Sequence, residues 1–174
     1  MKISLLILTV LLSTSFLSNG QNTLSGPAAM SKTYMAAGLR FGVTSGATVK
    51  GFIGNGQAIE GILGVWRHGI TTTALYEKYI PLVERPGFHW FYGVGGHLAF
   101  ETSNPIFERS NPVFGRPYYG RGVGLGVDGI IGIEYKPRTL PIAFSLDAKP
   151  FMEINTSGGF WGSLDPAVGV KVIF

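Results

Sequence analysis

The chain has 174 residues, of which 14% are charged and 13% aromatic, with 26 glycines and no cysteine. Soluble domains are about one quarter charged, so an ordinary water-facing globule is disfavoured, and the missing cysteine excludes a disulfide framework and a lipid-attachment cysteine. The formal charge is +4 and the pI about 9.4, but the bases are scattered singly rather than in a stripe, so no nucleic-acid partner is expected.

In chain order, Lys2, the apolar run from Ile3 to Leu12 and the small residues Ser18-Asn19-Gly20 predict a cleaved signal peptide over residues 1–20. The apolar run is too short for a membrane-spanning helix of about 20 residues, and no later segment reaches that length. Residues 21–33, broken by Gly26-Pro27, predict a periplasmic lead-in, and everything from 34 to 174 carries a two-residue hydrophobic period.

The first strand is expected over 34–44, with Met35, Ala37, Leu39, Phe41 and Val43 on one face and Gly38, Arg40 and Gly42 on the other. Thr44-Ser45-Gly46 then turns the chain into a second strand over 47–53, and Gly54-Asn55-Gly56 marks a hairpin. A third strand over 58–66 sets Ile59, Leu63 and Val65 against Glu60, and Arg67-His68-Gly69 is the next turn. The fourth, over 70–80, sets Ile70, Tyr76 and Ile80 against Glu77 and Tyr79, with Lys78 placed to snorkel. The fifth, over 88–101, opens on aromatics and sets Trp90, Tyr92, Val94, Leu98 and Phe100 against His89, His97 and Glu101. Residues 102–121 hold Pro105, Pro112 and Pro117 with Arg109, Arg116 and Arg121, and read as one long connection.

The pattern is clearest over residues 122–149. Val123, Leu125, Val127, Ile131, Ile133 and Tyr135 alternate with glycines, Asp128 and Glu134. After a turn from Lys136 to Pro141, Ile142, Phe144, Leu146 and Ala148 alternate with Ala143, Ser145, Asp147 and Lys149. An eighth strand runs from about Leu164 to Phe174, with Val168, Val170, Val172 and Phe174 out and Gly169 and Lys171 in. Charges and glycines on the polar face suit a narrow, crowded interior. The expected fold is all-β: an eight-stranded antiparallel up-and-down transmembrane β-barrel in the cell outer membrane of a Gram-negative envelope, porin-like in fold. An even strand count puts both ends on the periplasmic side and residues 102–121 outside.

Taken together, Gly38-Leu39-Arg40-Phe41-Gly42, residues 58–64, Leu75-Tyr76-Glu77, residues 129–135, Pro141-Ile142 leading to Ser145-Leu146-Asp147, Lys149-Pro150 and the final Phe174 resemble the small outer-membrane β-barrel proteins of the Bacteroidota type. The resemblance covers most of the chain after residue 20. It implies that Phe174, with Val172 and Val170, is the signal read by the barrel-assembly machinery, and it supplies no catalytic residue.

The inward-facing Arg40, Glu60, Glu77, Asp128, Glu134, Asp147, Lys149 and Lys171 read as a structural charge network, since an unpaired charge in a dry lumen is costly. Carboxylate pairs also serve glycoside hydrolysis and proton relays, but mutual neutralisation explains these positions better. Trp66, Trp90 and Trp161 fit a membrane-interface belt better than a sugar site. His68, His89 and His97 lack metal-ligand spacing, so neither a metal nor a cofactor is expected, and the chain is read as non-enzymatic and monomeric. Its expected contacts are outer-membrane lipid and lipopolysaccharide, the latter through Arg109, Arg116 and Arg121. Two alternatives stand beside this reading. One is a soluble lipocalin-like carrier, with Val127, Ile131, Phe144 and Leu146 in its cavity and the charges in water; the other is a lipid A-modifying enzyme using a rim histidine such as His68.

Overall fold

The computed structural model of the chain describes residues 33–66, 69–82, 84–102, 122–156 and 159–174. The signal segment, His68 and the three arginines of the long connection lie outside the described residues. Eight strands follow in order: β1 (Thr33–Gly42), β2 (Ser45–Gly54), β3 (Gln57–Trp66), β4 (Gly69–Pro81), β5 (Phe88–Glu101), β6 (Val123–Tyr135), β7 (Ile142–Asn155) and β8 (Gly159–Ile173). Each pairs antiparallel with its neighbours in sequence, and β8 pairs back onto β1 to close an up-and-down barrel without a free sheet edge to the ring. At the end that holds Thr33, called the lower end, Met35 and Phe174 exchange backbone hydrogen bonds of 3.0 and 2.9 Å.

The alternation expected from the sequence is present around the whole ring, and its sense is inverted relative to a soluble barrel. Leu63, Leu125, Val127, Leu146 and Val168 are each more than half exposed, whereas Lys50, Glu77 and Asp165 have no exposure at all. A one-residue slip would exchange these two sets, so the register is fixed by the pattern itself. The lower half of the interior is packed by Phe52, Ala58, Ile62, Leu75, Tyr79, Phe91 and Ile130, with Tyr34 against them. The aromatic start of β5 lies outside at the same end, where Phe88 stacks on Tyr135 at 4.5 Å.

The β2–β3 hairpin turns through three successive left-handed residues, Gly54 (φ 92°), Asn55 (φ 53°) and Gly56 (φ 68°). Among the described residues Asn55 is the one non-glycine with positive φ, a conformation that asparagine tolerates and β-branched residues do not. Two carbonyls of this turn are used: Lys78 Nζ donates to Asn55 at 2.8 Å and the Tyr79 amide to Gly56 at 2.6 Å.

Four features depart from the sequence expectation. The first turn is confined to Val43 and Thr44, with Ser45 already in β2. β7 runs on to Asn155, past Pro150, because the β6–β7 ladder skips the two positions around that proline and resumes in the same register at Asp128 opposite Phe151. The missing N–H of Pro150 therefore interrupts pairing without ending the strand. β8 begins at Gly159 rather than near Leu164, and its Pro166 sits just beyond Ala167, the last residue paired with β1. Trp66 is buried inside the upper end, on the parity of Glu60, and is not part of an outer belt.

The hairpin turn gives a direct test. Asn55→Thr is expected to lower unfolding stability by about 1–2 kcal/mol, the cost of a left-handed residue with a Cβ branch, while Asn55→Gly stays close to wild type in the same denaturation measurement.

Candidate functional site

The polar interior is the feature from which chemistry could arise. Eight of the ten acidic residues of the chain are buried in it: Glu60, Glu77, Glu101, Asp128, Glu134, Asp147, Glu153 and Asp165. Three basic side chains each lie between two of these acids, and in each case the acids come from two different strands. Arg40 of β1 meets Asp147 of β7 at 2.7 Å and Asp165 of β8 at 2.9 Å, and also donates to the Thr44 and Asp165 carbonyls. Lys50 of β2 lies 3.0 Å from Glu60 of β3 and 2.7 Å from Glu77 of β4. His97 of β5 has Asp128 of β6 on Nδ1 and Glu153 of β7 on Nε2, each at 2.7 Å.

Further links join these bridges. Lys149 Nζ lies 2.5 Å from Asp128, and Lys171 Nζ lies 3.3 Å from Glu60 across the lumen, while Thr48 donates a short hydrogen bond to the same Glu60. Lys50 donates to Tyr79 Oη at 2.6 Å, and Tyr79 to Glu134 at 3.3 Å. At the upper end Asn155 donates to Glu101 at 2.8 Å. Two contacts, Lys50 to Glu77 Oε2 and Lys136 to Glu134 Oε1, are close ion pairs set off the hydrogen-bonding direction, so those oxygens gain Coulomb contact without an aligned donor.

The inward glycines make room for this crowd. A Cβ on Gly126 would lie 2.6 Å from His97 Nε2, one on Gly124 would lie 2.5 Å from Glu153 Cδ, and one on Gly132 would lie 2.7 Å from Phe91 Cζ. These positions are smooth because a larger side chain from the next strand fills the space above them.

All eight charged residues expected in the lumen, Arg40, Glu60, Glu77, Asp128, Glu134, Asp147, Lys149 and Lys171, are buried there. Lys50, Glu153, Asp165 and Lys136 join the network without having been expected there from sequence, and His97, expected only to face the lumen, bridges two acids. His89 is half-buried at the lower end, 6.5 Å from the Tyr79 ring, and shares no contact with His97. Among the described residues no group of three or more histidine and carboxylate side chains is arranged to hold a metal ion. The arrangement required by a soluble carrier is reversed: Val127, Ile131, Phe144 and Leu146 are about half exposed on the outer face, and Asp128, Glu134, Asp147 and Lys149 are inside.

The fold and its interior define a class, a closed eight-stranded β-barrel filled by its own side chains with its polar groups turned inward. No protein-family model, curated protein or solved structure matches the chain.

The bridges are open to a double-mutant test. Lys50→Met leaves Glu77 buried without its cation and Glu60 with Lys171 alone, and is expected to cost about 3–5 kcal/mol in unfolding free energy. Adding Glu77→Gln removes the stranded charge, so the double variant should regain a large part of that loss. Equal stability of the single and double variants would mean that Lys50 does not hold Glu77.

Proposed function

We propose that the protein is an integral outer-membrane β-barrel of the small Bacteroidota type, non-enzymatic and monomeric, with an envelope-structural or surface-contact role. The observation that carries this reading is the apolar outer face, which rings the barrel from Met35 and Leu39 on β1 to Val168 and Val172 on β8. Water does not favour such a surface, and contiguous apolar patches on soluble monomers seldom exceed a few hundred Å². Lipid does favour it. The ten residues of β1 at about 3.3 Å each, tilted at roughly 40°, rise about 25 Å, the height of an outer-membrane apolar band.

A lumen filled by side chains gives no support to a general diffusion pore. Function then falls to the barrel as an envelope component and to its outer surfaces. Arg109, Arg116 and Arg121 remain, on sequence grounds, the groups best suited to meet lipopolysaccharide phosphates.

Two measurements bear on this. Closed barrels in detergent often stay folded until heated, so the protein from an outer-membrane fraction should migrate differently on a gel before and after boiling; recovery as a detergent-free soluble protein would overturn the reading. Leu146→Arg adds a sharper criterion, because Leu146 is exposed on the outer face. In water that change is nearly neutral, whereas at the bilayer midplane it should cost about 2–4 kcal/mol of folding stability.

A further inference from the structure

The lower mouth of the barrel is closed by a side chain that does not come from a strand. Lys136 follows the last residue of β6, and its Nζ lies over three aromatic rings, at 4.1 Å from the centroid of Phe52, 5.0 Å from Tyr79 and 5.3 Å from Tyr34. The same ammonium donates to Tyr34 Oη at 2.8 Å and lies 2.9 Å from Glu134 Oε1. The rings are held in place independently of the lysine. Tyr34 stacks on Phe52 at 4.2 Å, Phe52 meets Tyr79 edge-on at 5.1 Å, and Tyr79 stacks on Phe91 at 5.0 Å.

Several π faces and one carboxylate around a single ammonium form the kind of cage that recognises organic cations. Lys136 also differs from the other lumen bases of the described residues. Its side chain is 14% exposed, against 7% for Lys149, 5% for Lys171, 3% for Arg40 and none for Lys50, and those four are anchored within strands. The backbone of Lys136 stays tied to the β4–β5 turn through its N–H to the Gly87 carbonyl at 2.8 Å, so its side chain withdraws by rotation alone. We propose that the lower mouth is a binding site for a primary alkylammonium group, filled in the resting chain by its own Lys136 and open to a competing amine. An ammonium provides three donors; here one goes to Tyr34 Oη, Glu134 Oε1 adds a close Coulomb contact at 2.9 Å, and the faces of Phe52, Tyr79 and Tyr34 surround the charge.

Chemical rescue tests this with n-butylammonium, which has the four-carbon stem and charge of an intact lysine side chain. Lys136→Ala in the full chain is expected to lower the thermal unfolding midpoint by about 5 °C. Butylammonium should restore more than half of that loss, saturating with an apparent Kd on the order of 1–10 mM. Sodium chloride at equal ionic strength and neutral n-butanol should not, and neither should butylammonium added to Lys136→Ala combined with Glu134→Gln. Where the single variant does not fold, butylammonium present during refolding should recover it.

A second measurement uses the wild type, in which butylammonium must compete with the tethered lysine. Saturation transfer from the aromatic protons to the butyl chain is expected, weaker than in Lys136→Ala and abolished by Tyr34→Leu. An ethanolamine-headgroup lipid doped into the micelles separates the two sources of such an amine: rescue by the lipid as well as by the free amine assigns the site to headgroups also, and rescue by the free amine alone assigns it to soluble amines. Absence of both saturable rescue and saturation transfer would overturn the proposal and leave Lys136 a structural cap.

Discussion

Carboxylates shut away from water must each find a donor, and the barrel meets that demand by sharing its bases. An isolated buried charge is several kilocalories per mole unfavourable even after relaxation, and here eight acids are buried. Arg40 ties β1 to β7 and β8, Lys50 ties β2 to β3 and β4, and His97 ties β5 to β6 and β7. Those three triplets together touch all eight strands. The interior is therefore a set of cross-strand ties laid over the hydrogen-bonded ladders, and closure of the ring is what brings Arg40 of the first strand to the acids of the last two.

The same demand explains the unusual division of residue types between the two faces. Space inside an eight-stranded ring is just sufficient for side chains, so a long charged residue on one strand needs a small one beside it. Gly126 next to His97 and Gly124 next to Glu153 are two instances on one strand. Apolar residues are thereby left for the outside, where Leu125 and Val127 stand on either side of Gly126. The glycine-rich, weakly charged composition follows from these two packing rules together.

Much of this was legible because the two-residue period survives in every strand. Strand number, face assignment and the inward position of Arg40, Glu60, Glu77, Asp128, Glu134, Asp147, Lys149 and Lys171 all follow from parity. Glu153 lies beyond Pro150, which looks like a strand end, whereas the ladder tolerates an interruption there; Asp165 was readable, since it falls in the eighth strand on the inward parity of Gly169 and Lys171. Lys50 could have been found: a hairpin turning at Asn55 sets Lys50 directly opposite Glu60. Trp66 was likewise readable from its parity with Glu60, but the general preference of tryptophan for interfaces displaced that local signal. Lys136 could not have been read this way, since a residue in a connection has no parity and its reach into the mouth depends on tertiary position.

Sharing makes the bases and the acids unequal. Each of Arg40 and Lys50 faces two carboxylates, while Glu77 faces Lys50 and Asp165 faces Arg40. A carboxyl that loses its partner can take up a proton and remain both donor and acceptor, but a guanidinium cannot shed its charge, and loss of a base uncovers two acids at once. Sequence change is therefore absorbed more easily at the acidic ends of the network than at its basic centres. The outer face answers to a different constraint, exposure rather than pairing, so it can vary among apolar residues without disturbing the ties inside. Any surface-specific role of such a barrel is free to change while the interior that holds it together stays fixed.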